Sequence, residues 1–154
     1  LIRFDGHRVV PVVLEVYSAV QDRGIRALLA TPTGMLVATA NDLRHMDRLG
    51  QRQTRILAEG QSLGGIVALV RQRDTVLAVT EAGVVYRLAA DAGAGMAERL
   101  LIADWPATDL RVRKVRATPD WLYVAANHGV HRLDRRRRMA CRPSTAALTI
   151  SRQY

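Results

Sequence analysis

Cysteine is nearly missing from this chain. Cys141 stands alone among 154 residues, which excludes an internal disulfide and any metal site built from several cysteines of one chain. Lysine is as scarce: Lys114 is the only one among 23 basic residues, a bias that speaks of a GC-rich genome at least as much as of a need for guanidinium at each position. No apolar run is long enough to span a bilayer, and the N-terminus carries no basic-apolar-small leader. The chain opens at Leu1, without Met and inside a repeat, so it reads as a processed product or as a segment of something longer. A missing leader then says little about compartment. A phosphate-binding loop is also lacking. Gly93-Ala94-Gly95 has neither a third glycine nor a following helix, and Gly64-Gly65 reads as a turn.

Acids are in short supply too, 14 against 23 bases, for a formal charge of +9. Basicity of this size favours anionic partners such as nucleic acid, phospholipid headgroups or acidic proteins. With 49% apolar and 24% charged residues, the composition is that of an ordinary folded domain and far from a disordered one.

What the chain does have is a recurrence. Leu1-Ile2-Arg3-Phe4-Asp5, Leu43-Arg44-His45-Met46-Asp47 and Val130-His131-Arg132-Leu133-Asp134 share an order of apolar, variable, basic, apolar and acidic residues. Val85-Tyr86-Arg87-Leu88-Ala89 keeps that order except for the acid. The first positions follow one another at intervals of 42, 42 and 45 residues, in the range where sequence periods signal propellers and other repeat arrays. A unit of this size needs a neighbour to cover its apolar faces, so the end units carry surface that something else must cover.

Within each period the turn signals cut the chain into short strands. Leu1–Phe4 and Arg8–Leu14 flank Asp5-Gly6, and Pro11 places the second of these strands at a sheet edge, since proline cannot donate to a ladder. Glu15–Arg23 reads as a connection with a short helix within reach, ending at Gly24. The first whole unit then runs Ile25–Ala30, Met35–Thr39, Leu43–Asp47 and Gln53–Ala58, with turns at Thr31-Pro32-Thr33-Gly34, Asn41-Asp42 and Leu49-Gly50. The second repeats the order with Ile66–Val70, Thr75–Thr80, Val84–Leu88 and Ala97–Ile102. The third has Leu110–Ala117, Trp121–Ala125 and Val130–Leu133, with a weak fourth strand at Met139–Cys141. Thr31-Pro32 and Thr118-Pro119 occupy the same turn in two units. Four short strands per period point to antiparallel sheet.

The expected division is a partial blade and connection at 1–24, blades at 25–60, 61–104 and 105–143, and the start of a further blade or a tail at 144–154. The fold class is therefore all-β, a propeller-like array of about three and a half four-stranded blades, where closed propellers have about four to eight. Missing sequence, or assembly with copies of the same chain, would complete it; two copies would make a seven-bladed ring, about the common size, which favours a dimer.

Arg3-Phe4-Asp5-Gly6 after Leu1-Ile2, and Gly129-Val130-His131-Arg132-Leu133-Asp134 after Trp121-Leu122-Tyr123-Val124-Ala125, resemble the blade repeats of bacterial sensor-type propellers of two-component regulators. Those repeats read as an aromatic-aliphatic strand, a small-residue and Gly turn, and an apolar-x-Arg-apolar-Asp strand. This chain departs at Asn41-Asp42, where the turn Gly is lost, and at Ala89, where the acid is lost. The resemblance implies a sensor or scaffold role, and a periplasmic location where it holds; otherwise the chain belongs in the cytoplasm.

No catalytic constellation emerges from the residues, and the chain reads as no enzyme with no cofactor. His128, His131 and Asp134 stand three apart, which converges on a helix and diverges on a strand. Ser18, Ser62, Ser144 and Ser151 lie in polar connections or near the end, outside any nucleophile-elbow pattern. Cys141 beside Arg138 and Arg142 has cations that favour a thiolate, set against a partly buried, inert thiol. Arg135, Arg136, Arg137 and Arg138 form the strongest charge feature. They read as a solvated hairpin tip, or else as a contact for phosphate or an acidic protein. No aromatic residue interleaves that run to stack bases.

Asp5, Asp47 and Asp134 end the recurring strands and are expected to accept hydrogen bonds from turn backbone or to pair with a neighbouring Arg. The small polar turns are the better binding candidates: Asn41-Asp42, Glu81-Ala82-Gly83 and Asn127-His128-Gly129 join equivalent strands, so in a propeller they line one face beside the channel. The expected function is non-catalytic binding of a protein or small-molecule ligand through Asn41, Asp42, Glu81, Asn127 and His128. The alternative is anion or nucleic-acid binding through Arg135 to Arg138.

Overall fold

The computed structural model describes residues 2–4, 6–7, 9–11, 24–90, 95–100 and 109–134. The described residues are all-β, with no helix among them. A hairpin of β1 (Ile2–Phe4) and β2 (Val9–Pro11) comes first, and β1 is the only described partner of the strand that holds Pro11. Three meanders follow. The first sheet runs β3 (Ile25–Thr31), β4 (Gly34–Thr39), β5 (Leu43–Asp47) and β6 (Gln53–Arg55). After a small hairpin of β7 (Leu57–Ala58) and β8 (Gln61–Ser62), the second sheet runs β9 (Ile66–Gln72), β10 (Thr75–Thr80), β11 (Val85–Ala89) and β12 (Ala97–Leu100). The third has β13 (Val112–Ala117), β14 (Trp121–Ala126) and β15 (Gly129–Asp134). Every ladder in these sheets is antiparallel and joins strands consecutive in the chain.

The recurring strand holds one ladder position in all three of these sheets. Leu43 lies opposite Ala38, Val85 opposite Val79 and Val130 opposite Ala125. The opening strands share an irregularity as well. Ile25 pairs with Thr39 and Ala27 with Ala38, leaving Arg26 as an extra residue; Val67 and Arg113 are the extra residues at the same point of β9 and β13. A bulge sharpens the local twist, so its repetition gives each opening strand the same bend.

Alternation along the strands makes every sheet two-faced. Leu36, Ala38 and Leu43 of the first sheet meet Ile66, Val76, Ala78 and Leu88 of the second in one core, sealed from the outside by Ile56, Ala58 and Leu63. The opposite face of the second sheet, with Leu77, Val79 and Val85, meets Val112, Leu122, Val124 and Leu133 of the third in another. The opening strands converge, β9 packing against both β3 and β13.

The sequence suggests one fourth strand over Gln53–Ala58, but the structure breaks it. Ile56 keeps the register of β6, donating its amide to the carbonyl of Leu43 opposite it at 2.8 Å, and its side chain is completely buried. Leu57 then leaves the first sheet, donating its amide to the Gly95 carbonyl of the second unit at 2.9 Å and bridging Met96. The Gly95 carbonyl wins over continued pairing with β5, and the outer strand hands the chain on to its neighbour. The expected fourth strand at Met139–Cys141, the connection over Glu15–Arg23 and the further unit at 144–154 lie outside the described residues.

Candidate functional site

The turns between the second and third strands of each unit, at Asn41-Asp42, Glu81-Ala82-Gly83 and Asn127-His128, are joined in a row by main-chain hydrogen bonds. The Gly65 amide donates to the Ala40 carbonyl at 2.6 Å, tying the entry of the second unit to the turn of the first. Glu81 N–H then donates to Gly65 O at 2.7 Å, and Val112 N–H to Glu81 O at 2.7 Å. Asn127 N–H closes the row on Arg111 O at 3.1 Å. The first two turns therefore hold the start of the next unit and the third holds the start of its own, and the three turns share one side of the stacked sheets. Gly65 serves this with φ of +67°, a conformation that costs other residues energy.

The side chains of these turns divide into two groups. Asp42 faces inward and is buried. Its Oδ2 accepts from Arg44 Nε and Nη2, each at 2.9 Å, and its Oδ1 accepts from Arg55 Nε at 2.9 Å and from Ser62 Oγ at 3.4 Å. Arg44 is buried beside it, while Arg55 is half exposed. A carboxylate committed to three strands in this way is structural. Asn127 is committed likewise: its Oδ1 accepts from Arg111 N–H at 2.8 Å and its Nδ2 donates to Asp109 O at 2.6 Å. Asn41, Glu81 and His128 are exposed on this side. Glu81 Oε2 lies 3.2 Å from Arg26 Nη1, at the bulge of the first unit, and His128 Nε2 lies 3.1 Å from Asn127 Nδ2.

The remaining candidates separate. His128 is in the exposed turn, His131 is buried on the face towards the second sheet, and Asp134 holds a register position on the opposite face from His131. Asp47 accepts from turn backbone, its Oδ1 taking the Gln51 amide at 2.8 Å; Asp5 lies outside the described residues. Arg135, Arg136, Arg137, Arg138, Cys141, Ser18, Ser144 and Ser151 also lie outside them.

Two features escape sequence reading because they need the sheets in place. An open groove of about 540 Å³ runs between β9 and β13, lined by Leu69, Val70, Arg71, Val115, Arg116 and the Thr118-Pro119 turn. Arg71 is anchored there through a hydrogen bond from its Nη2 to Ala30 O. The second is the outward face of the third sheet. Lys114, Ala125 and Val130 share one row across it, and Arg116, Tyr123 and Arg132 share the next. Trp121 follows, with the Arg132 guanidinium 4.1 Å above its ring centroid. Two-residue alternation at 114/116 and 121/123 is the sequence signal that would have found this face. The chain matches no protein-family model, no curated protein and no solved structure.

Proposed function

We propose that this chain is a non-catalytic binding module, an arc of a β-propeller with four-stranded blades, that takes a protein or small-molecule ligand on the side formed by its three polar turns. The observation that carries the reading is the main-chain relay from Ala40 through Gly65, Glu81 and Val112 to Asn127. It holds three loops in fixed relation on one side of the sheets, as a binding surface borne by a rigid scaffold requires. Repeated bulges and converging opening strands support the propeller arc. Asp42 and Asn127 hold the turns in shape, and Asn41, Glu81 and His128 offer the groups a ligand meets. A sensor role and a periplasmic location go with the resemblance of the repeats.

The test is a fragment screen on the 15N-labelled chain. Amide shifts are expected to cluster at residues 40–42, 81–83 and 127–129 and to vanish in Glu81→Ala/His128→Ala. Hits gathered only in the groove between β9 and β13 would overturn the turn-side reading.

A further inference from the structure

We infer that the outward face of the third sheet is a platform for single-stranded nucleic acid, a surface distinct from the turn side. The argument starts from position-by-position equivalence of the sheets. The rows Ala27–Ala38–Leu43 and Leu29–Leu36–His45 of the first sheet face the second, and the rows Ala68–Val79–Val85 and Val70–Leu77–Arg87 of the second face the third. On the third sheet the same rows read Lys114–Ala125–Val130 and Arg116–Tyr123–Arg132. Small and aliphatic residues on the opening strand have become cations, and Leu36 and Leu77 have become Tyr123. Lys114 and Arg116 are exposed, and Trp121, Tyr123 and Arg132 are partly so.

A face of this composition does not suit another sheet of the same kind, because stacking one on it would bury Lys114 and Arg116 without partners. It suits a ligand with both anionic groups and flat apolar rings. Trp121 and Tyr123 lie two apart on one strand and so project from the same face, about 7 Å apart. Arg132 covers the Trp121 ring and offers its own plane for stacking. Bases stack on aromatic rings and guanidinium planes, while neighbouring Lys and Arg meet the phosphates. A duplex hides its base faces and would leave the rings unused, so the single strand is the form that fits. The net charge of +9 adds long-range attraction. Asp134, opposite Trp121, is the one acid on these rows.

The test uses the full chain, fluorescein-labelled oligo(dT) and anisotropy over a salt series. Oligo(dT) is expected to bind more tightly than the matching duplex. Tyr123→Ala is expected to weaken it about tenfold with the salt slope unchanged, as loss of one stacked base does, while Tyr123→Phe keeps the affinity. Arg116→Gln is expected to lower the slope by about 0.7, the value for one phosphate contact on a single strand. Because Lys114 is the only lysine, its acetylation reports occupancy directly and should fall when oligo(dT) is bound. Absence of binding, or an affinity that Tyr123→Ala leaves intact, would overturn the inference. So would unchanged Lys114 reactivity with oligo(dT) bound, which would place the strand on Arg135 to Arg138, or equal affinity for polyglutamate, which would assign the face to acidic protein segments. Glu81→Ala/His128→Ala should leave oligo(dT) binding untouched, which keeps this test separate from that of the turn side.

Discussion

Leu43 and Val130 hold the same ladder position in the first and third sheets, opposite Ala38 and Ala125, yet Leu43 has no exposure and Val130 is 69% exposed. The strands agree, so the difference comes from the neighbour. The second sheet covers Leu43, and nothing among the described residues covers Val130.

Truncation at the two positions should therefore differ sharply. Leu43→Ala removes a filled core volume and is expected to cost about 2 to 5 kcal/mol. Val130→Ala is expected to fall within about 0.5 kcal/mol. Urea denaturation of both variants checks this, and a loss at Val130 equal to that at Leu43 would mean its face is covered in solution.

Much of this architecture is written in the chain's local chemistry. The recurring strands appear at Leu43–Asp47, Val85–Ala89 and Gly129–Asp134, because alternation and turn residues act within a few positions and need no tertiary context. Roles within the turns were less legible. Asn41 and Asp42 are adjacent polar residues of similar turn propensity, but one is exposed and the other buried, a distinction set by Arg55 and Ser62 arriving from later strands. The break after Ile56 was hidden for a similar reason, since the alternation of Gln53–Ala58 does not show that the second unit claims Leu57. Nothing in the sequence sets Lys114 and Arg116 apart from other strand charges, because their equivalence to Ala27 and Leu29 exists only in the paired sheets.

The Asp42 cluster predicts an asymmetric response. Asp42→Ala leaves the buried Arg44 guanidinium without its carboxylate and is expected to cost about 3 to 5 kcal/mol. Arg55 is half exposed, so Arg55→Met should cost less than about 1 kcal/mol. Thermal unfolding of the two variants would refute this account if Arg55→Met proved the worse.

Gly34 predicts a steric effect with a built-in control. A Cβ there would sit within the main-chain carbonyl of Met46 on the paired strand, and only a shift of β4 against β5 would relieve it. Gly34→Ala is expected to cost at least about 3 kcal/mol, at the upper end for overpacking. Gly64 has ordinary room, the Ala40 carbonyl oxygen lying 3.9 Å from its would-be Cβ. Gly64→Ala is expected to be neutral or to stabilise by up to about 1 kcal/mol, and chemical denaturation should rank the pair accordingly.

The turn relay predicts an exchange pattern that its position on the surface would not suggest. Turn amides usually exchange through small local openings, whereas amides bonded into a cooperative unit exchange with the unit. The amides of Gly65 and Val112 donate to main-chain carbonyls of the preceding unit, and those of Glu81 and Asn127 to the entry of their own unit, so opening Gly65 or Val112 parts two sheets and opening Glu81 or Asn127 frees the entry segment that the relay uses. They are expected to exchange with the core amides of β4 and β10, far more slowly than the amides of the exposed Glu59-Gly60 turn. Asn127→Ala removes side-chain bonds to Arg111 N–H and Asp109 O and is expected to cost about 1 to 3 kcal/mol. Its effect should appear at Arg111 and Asn127 and leave Gly65 and Glu81 protected. Residue-resolved hydrogen exchange reads both results. Exchange at Gly65 and Val112 as fast as at Gly60 would show that the relay does not bind the units together, and the turns would then lack the fixed spacing that the proposed ligand-binding side requires.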